Sequence, residues 1–330
     1  MKKILYVSKS KKLNASFLTI QSAIDSIPSQ SKDHYTIEVD SGIYYEKIIL
    51  AKPNVTINGT SSAASIITYD DCAFSMSSDG TKLGTFRSYT FFVDAPNITL
   101  SNLSIINSSG FGNQVGQAIA LYADGDMLQV RDCKLLGHQD TLFTGPLPKV
   151  AIQPNGFAGP KEHSPRIFTH QYYFNCYIEG DVDFIFGSAF AFFEKCIIFS
   201  HKKNLDTSKP QENEVEIHGY ITAASTPKEE PYGYIFYKCK IQSDCPKHSV
   251  YLGRPWREYA SVLFQQCQLG EHIHPQGFHD WNKTNFHNTF RFSEGQNYGP
   301  GSDLKNRATF VANQSLNLNT LLNLRKSVLY

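Results

Sequence analysis

Two aspartates occupy equivalent places in a segment that recurs along this chain. The segment reads apolar residue, two variable residues, cysteine, one variable residue, then Ile or Leu. It spans residues 130–135 around Cys133, 173–178 around Cys176, 193–198 around Cys196, 236–241 around Cys239 and 264–269 around Cys267. Asp140 follows Cys133 by seven residues, and Asp183 follows Cys176 by seven. Gln139 precedes Asp140, and Gln117 lies 22 residues before Gln139. If each segment is one structural unit, two carboxylates and two primary amides converge on one face over three successive units. Two close carboxylates do not both ionise cheaply, so one of them keeps its proton. The outcome is a nucleophile beside a general acid, with uncharged donors for a developing oxyanion. Arg254 is the cation that would hold the nucleophile ionised, and Trp256 could stack on a sugar ring. The plainer alternative is a ladder of Asn, Asp and Gln that only satisfies turns, or a surface ion pair for Arg254. Asp183 resists it, because it sits in the apolar run from Val182 to Gly187, where an unpaired carboxylate is costly to bury.

Something must bring these units together. Near the start, Ile20, Ala23, Ile24 and Ile27 fall at helical spacing, and Pro28 stops the run. From Tyr35 onward, short β-rich segments alternate with Gly, Asn, Asp, Ser and Pro turns. No series of helices alternates with the strands, which excludes a βαβ sheet. A unit of about 20 to 25 residues predicts stacked coils. The expected fold is all-β, a parallel β-helix (a single-stranded solenoid) with an N-terminal capping helix.

The 20 residues from Cys176 to Cys196 make one coil, and the 28 from Cys239 to Cys267 one coil with a longer loop. The 43 from Cys133 to Cys176 are read as one coil plus an inserted loop near 145–166, rich in Gly and Pro, which sets Asp140 and Asp183 on adjacent coils. The 43 from Cys196 to Cys239 are read differently, as a charged loop at 202–216 and an extra coil through residues 219–224. The chain is expected to form one domain over 1–330, with a packing tail near 316–330.

Composition narrows the function. Thirty-one Lys and Arg balance 30 Asp and Glu, which argues against electrostatic capture of nucleic acid or an anionic membrane. Twenty-three Phe and 18 Tyr suit both a core and a sugar-binding groove. Seven cysteines without a CxxC pair read as buried free thiols. The apolar run after Met1-Lys2-Lys3 is shorter than the ~7–15 residues of a leader's core, so a cytoplasmic location is expected, or secretion if a leader has been removed. His272, His274 and His279 lack a fourth ligand at recognisable spacing. Neither metal nor cofactor is expected.

In combination, the motifs resemble the pectinesterase (pectin methylesterase) family. The resemblance rests on residues 42–46 (GIYYE), 85–90 (TFRSYT), 116–121 (GQAIAL), 139–142 (QDTL), 183–187 (DFIFG) and 252–256 (LGRPW), in the family's order, and extends from about 4 to 295. It implies a right-handed β-helix and removal of methyl esters from polygalacturonate or oligogalacturonides. It also implies Asp183 as nucleophile, Asp140 as acid and later base, Gln117 and Gln139 as oxyanion donors, and Arg254 orienting Asp183. Thr85, Phe186, Trp256, Phe143 and Val182 would bind substrate. The insert, longer than the connection usual in plant members, is expected to close one side of the groove and restrict substrate length. A monomer without nucleic-acid or membrane partners is expected. Rival readings are a pectate lyase using Ca²⁺ at Asp181 with Asp183 or at Asp70 with Asp71, a polygalacturonase, and a non-catalytic pectin-binding solenoid. A serine esterase is disfavoured, since no Gly-x-Ser-x-Gly occurs.

Overall fold

The structure, a computed structural model, describes residues 2–10, 16–203 and 216–329. Most of the charged loop expected at 202–216 lies outside them. Among the described residues the strands form three sheets of 11, eight and seven strands. A strand of each sheet follows in turn along the chain, and every partner in a sheet comes from the next coil. Neighbours run parallel and in register, as Leu142–Thr144 does against Val182–Gly187. This is a parallel β-helix.

Local chemistry makes each corner. The residue before each cysteine of the repeat, or before its equivalent, is left-handed: Asn102, Asp132, Asn175, Lys195, Lys238 and Gln266 have φ between 51° and 56°. Asn and Asp tolerate this conformation, whereas Lys and Gln need outside support. The stack supplies it. The Lys195 amide donates to the Tyr237 carbonyl at 3.0 Å, and the Lys238 amide to the Gln265 carbonyl at 3.1 Å.

Inside, like packs on like. Tyr173, Phe193, Phe236 and Phe264 stack with centroids 4.6, 4.5 and 4.3 Å apart. These separations match the ~4.8 Å between strands, so in-register pairing produces the ring stack. The cysteines form a second ladder beside it. Cys196 and Cys239 each donate their Sγ–H to a carbonyl one coil back, of Tyr173 and Phe193, at 3.4 Å. All seven thiols are free and only Cys245 is not buried. Phe193→Ala should therefore cost roughly 3–5 kcal/mol. Chemical denaturation measures it, and a loss under about 1 kcal/mol would show that the ring stack does not carry the core.

Residues 219–224 are not an extra coil. That strand pairs with Val182–Gly187 on one side and Val250–Pro255 on the other, while Phe190–Glu194 pairs directly with Tyr234–Tyr237. It is the third face of the coil that starts at Phe190, and residues 201–218 before it lengthen the interval. Between Cys133 and Cys176 likewise no coil intervenes, since His170–Phe174 pairs directly with Leu128–Arg131. The strandless segment from 145 to 169 leaves the stack there.

Helices sit at the periphery. Ile20–Asp25 buries Ile20, Ala23 and Ile24 in the core at the N-terminal end of the stack. The Glu46 carboxylate accepts from the amides of Ile20 and Gln21, both at 3.0 Å. A carboxylate there satisfies orphan N–H groups and opposes the helix dipole. The tail is also helical: Leu318–Ser327 lays Leu321 over the outer face of the 11-stranded sheet, against Tyr172, Phe192 and Ile235.

Candidate active site

The corner leading into the seven-stranded sheet carries the reactive groups on consecutive coils. The Ala118 amide donates to the Gln139 carbonyl, and the Asp140 amide to the Val182 carbonyl, each at 3.1 Å. These two bonds lock the Gln117, Gln139–Asp140 and Asp183 turns one above another. Asp140 (φ 66°) and Asp183 (φ 51°) are both left-handed. Such strain persists only where the surroundings over-determine it, and it concentrates at functional sites. Pairing with the next strand shifts register between Val182 and Ile185. A bulge of this kind re-aims a side chain, and here the Asp183 carboxylate lines a cleft instead of the core. Gly187 ends the same strand at φ 130°, where a Cβ would lie 2.1 Å from the Thr144 carbonyl oxygen.

Arg254 reaches Asp183 from two coils away. Its Nε donates to Oδ1 at 2.8 Å and its Nη2 to Oδ2 at 2.6 Å. This two-pronged geometry is the strong form of an ion pair. Ala223 is the register partner of Arg254 on one side and of Phe186 on the other. The guanidinium carbon lies 3.9 Å from the Tyr220 ring centroid and 3.8 Å from that of Trp281, so two aromatic faces hold it.

The two carboxyls differ in their neighbours. Burial pushes Asp140 well above the usual carboxylate range, the Asp183 charge adds to the push, and Arg254 opposes it. Burial raises Asp183 as well, but Arg254 opposes that rise through both hydrogen bonds and charge. Asp140 therefore holds its proton after Asp183 has lost one. Activity that needs Asp183 ionised and Asp140 protonated should be bell-shaped in pH. It falls in acid as Asp183 takes up a proton, above the ordinary carboxylate value of ~3.9, and falls again in alkali as Asp140 ionises. A kcat/KM profile without an alkaline limb would remove Asp140 as the acid.

The cleft is about 610 Å³ and contains Gln117, Gln139, Asp140, Asp183 and Arg254 together. Gly112 presses on the Gln139 side chain: a Cβ there would lie 2.5 Å from Oε1. Thr85, Phe186 and Trp256 line the cleft. Phe143 and Val182 do not. Phe143 is fully buried beneath the wall, 5.1 Å from the Phe86 ring and 5.0 Å from the Phe186 ring. It faces the aromatic layer behind the groove, so it supports Phe186 and cannot touch a sugar. Val182 contributes its carbonyl to Asp140, and its side chain lies outside the cleft.

Sequence reading missed Trp281, Phe74, Lys82 and Arg257, which line the cleft together with residues 152–158 of the insert that was expected to close one side of it. Trp281 is the second of only two tryptophans, a signal that was available. Asp181 was weighed only as a metal ligand. It is buried, accepts from the Val182 amide at 2.6 Å, and has His138 Nδ1 3.4 Å from its other oxygen. Its amide donates to the His138 carbonyl at 3.1 Å, which ties the Asp183 turn to the residue two before Asp140. Asp71 pairs with Lys47, and Asp70 accepts from the Tyr45 hydroxyl. His274 and His279 pack on the Tyr251 ring, at 4.3 and 5.1 Å. Among the described residues no cluster of His, Cys, Asp and Glu is arranged to hold a metal ion.

Fold and cleft together define the class: a parallel β-helix whose cleft holds a carboxylate pair and a clamping arginine. The chain belongs to the pectinesterase family, whose profile matches residues 6–147 and 163–323. It is similar to the probable pectinesterase 8 of Arabidopsis thaliana, 31% identical over 307 residues that cover 91% of this chain and 68% of that one. Among solved structures, the pectin methylesterase of Aspergillus niger is 27% identical, covers 99% of this chain and 93% of its own, and superposes with a TM-score of 0.74. A pectin methylesterase in complex with a hexasaccharide shares the fold, with a TM-score of 0.78, 24% identity, and 98% and 96% of the two chains covered. The β-helix is right-handed, as in these neighbours.

Proposed function

We propose that this protein is a carboxylic ester hydrolase that removes methyl esters from galacturonate units of pectin or methylated oligogalacturonides. The two-pronged Arg254–Asp183 pair beside a carboxyl that keeps its proton carries the reading. An Asp183 oxygen attacks the ester carbonyl carbon. The carbonyl electrons move to oxygen, and the amide N–H groups of Gln117 and Gln139 hold that oxyanion. As the carbonyl re-forms, the bond to the methoxy oxygen breaks and Asp140 supplies the proton that makes methanol. An anhydride joins Asp183 to the sugar. Asp140, now a carboxylate, takes a proton from water, and the hydroxide attacks the galacturonyl carbon of the anhydride. Asp183 leaves as a carboxylate, which Arg254 stabilises. Phe186 and Trp256 offer flat faces to the pyranose rings, and Thr85 a hydroxyl. Every participating group comes from one chain, which supports a monomer as the working unit.

Methanol release from methylated pectin, and from short methylated oligogalacturonides, tests the reading with EDTA present throughout. One acid group per methanol is expected. A chelator-sensitive reaction giving an unsaturated, ultraviolet-absorbing product would overturn it in favour of a lyase. New reducing ends from de-esterified polymer would favour a glycosidase, and tight binding without methanol a binding module.

A further inference from the structure

The family profile skips residues 148–162, yet residues 152–158 of this segment line the cleft beside Asp140 and Asp183. This wall is fastened at both ends. Lys161 pairs with Asp94 at 2.6 Å, and Arg257 Nη2 donates to the Val150 carbonyl at 3.1 Å. Arg166 gathers the base of the segment by donating to the carbonyls of Lys161, Ser164 and Glu162 at 2.6 to 2.7 Å. Phe157 is its keel: it is buried, with its ring 5.8 Å from Phe86 and 6.2 Å from Trp256. The tip is a tight turn in which the Gly156 amide donates to the Gln153 carbonyl at 3.0 Å and Asn155 is left-handed. Ile152, Gln153, Pro154 and Asn155 are exposed at the cleft.

The chemistry of the wall is as telling as its placement. No charged residue occurs between Lys149 and Lys161. The cleft's cations come from outside the insert: Arg254 is paired with Asp183, Arg257 lies over the Trp256 ring at 4.8 Å and donates to two carbonyls, and Lys82 lies over the Phe74 ring at 4.6 Å. A free galacturonate carboxylate set against Ile152, Gln153, Pro154 and Asn155 would lose water and meet no charged side chain of the insert. A methyl ester in the same place has no charge to desolvate and offers a methyl group to Ile152 and Pro154.

We propose that the 148–162 insert is a specificity element that selects methyl-esterified units next to the one being hydrolysed. The protein then prefers runs of esterified galacturonate and slows as its own acidic products accumulate beside the site. This rests on the esterase reading for its substrate class, but its test does not need turnover. Oligogalacturonides of one length, either densely or sparsely methylated, are titrated calorimetrically into the Asp140→Asn protein, which lacks the acid but keeps the Arg254–Asp183 pair. The densely methylated form should bind roughly tenfold tighter, the scale a site of this kind can discriminate. Adding Gln153→Lys should narrow the ratio by roughly two- to fivefold, as expected of one exposed ion pair, and high salt should restore it. Ile152→Ser should weaken binding of the densely methylated form alone. Equal binding of the two forms, or a ratio that Gln153→Lys leaves unmoved, overturns the proposal. Failure of the esterase reading would show separately, as wild-type protein that releases no methanol.

Discussion

Asp183→Asn is expected to reduce methanol release by on the order of 10⁴-fold or more, the scale seen when a nucleophile is removed, in a protein that remains folded. The substitution keeps size and shape, so the bulge that presents residue 183 should persist. What disappears is the charge. An amide oxygen is too weak a nucleophile to form the anhydride, and of the two Arg254 bonds, at 2.8 and 2.6 Å, only one can remain, because the amide nitrogen cannot accept. The guanidinium remains between the Tyr220 and Trp281 rings, which limits collapse of the cleft. A second consequence follows at Asp140. The Asp183 charge is one cause of its raised proton affinity, so that affinity should fall, although burial keeps it above the ordinary range. Methanol assay and circular dichroism together decide the matter. Undiminished turnover in a folded variant would end the assignment of Asp183.

Gln117→Leu and Gln139→Leu should each lower kcat by roughly a hundred- to thousandfold, with little change in KM. The distinction lies in timing. The ester carbonyl is a weak acceptor in the ground state, and the negative oxygen exists only near the transition state, so donors aimed at it act on kcat. Leucine fills a similar volume and brings no charge. Gly112→Ala offers an independent check, because the added methyl would push the Gln139 amide aside without removing it. It should lower kcat in the same direction while leaving Gln117 untouched. A rise in KM with unchanged kcat in either glutamine variant would instead make that residue a substrate contact.

Much of the molecule was legible because a solenoid writes its geometry into its sequence. Each coil repeats the same problem, so Cys, the apolar flanks and the left-handed corner recur at one spacing. Asp140 and Asp183 could be aligned by counting from Cys133 and Cys176. The same counting failed at residues 219–224, where a long loop and an extra coil lengthen the interval alike. Only the pairing of Phe190–Glu194 with Tyr234–Tyr237 separates them. Phe143 was misplaced for a related reason. Alternation along a strand says that neighbours face opposite ways, but not how thick the aromatic layer beneath a groove will be. Here Phe86 and Phe186 cover Phe143 completely.

The amino-acid sequence alone determined the stacked-coil architecture, the alignment of the two aspartates and two glutamines, and the choice of Arg254 as their cation. These follow from short-range periodicity, which survives in one dimension. Tertiary structure decided the rest. It placed Arg254 between Tyr220 and Trp281, gave Asp140 and Asp183 unequal surroundings, and buried Phe143 beneath Phe86 and Phe186. Those outcomes depend on contacts between residues far apart in the chain, and on the burial such contacts create, which no local spacing records.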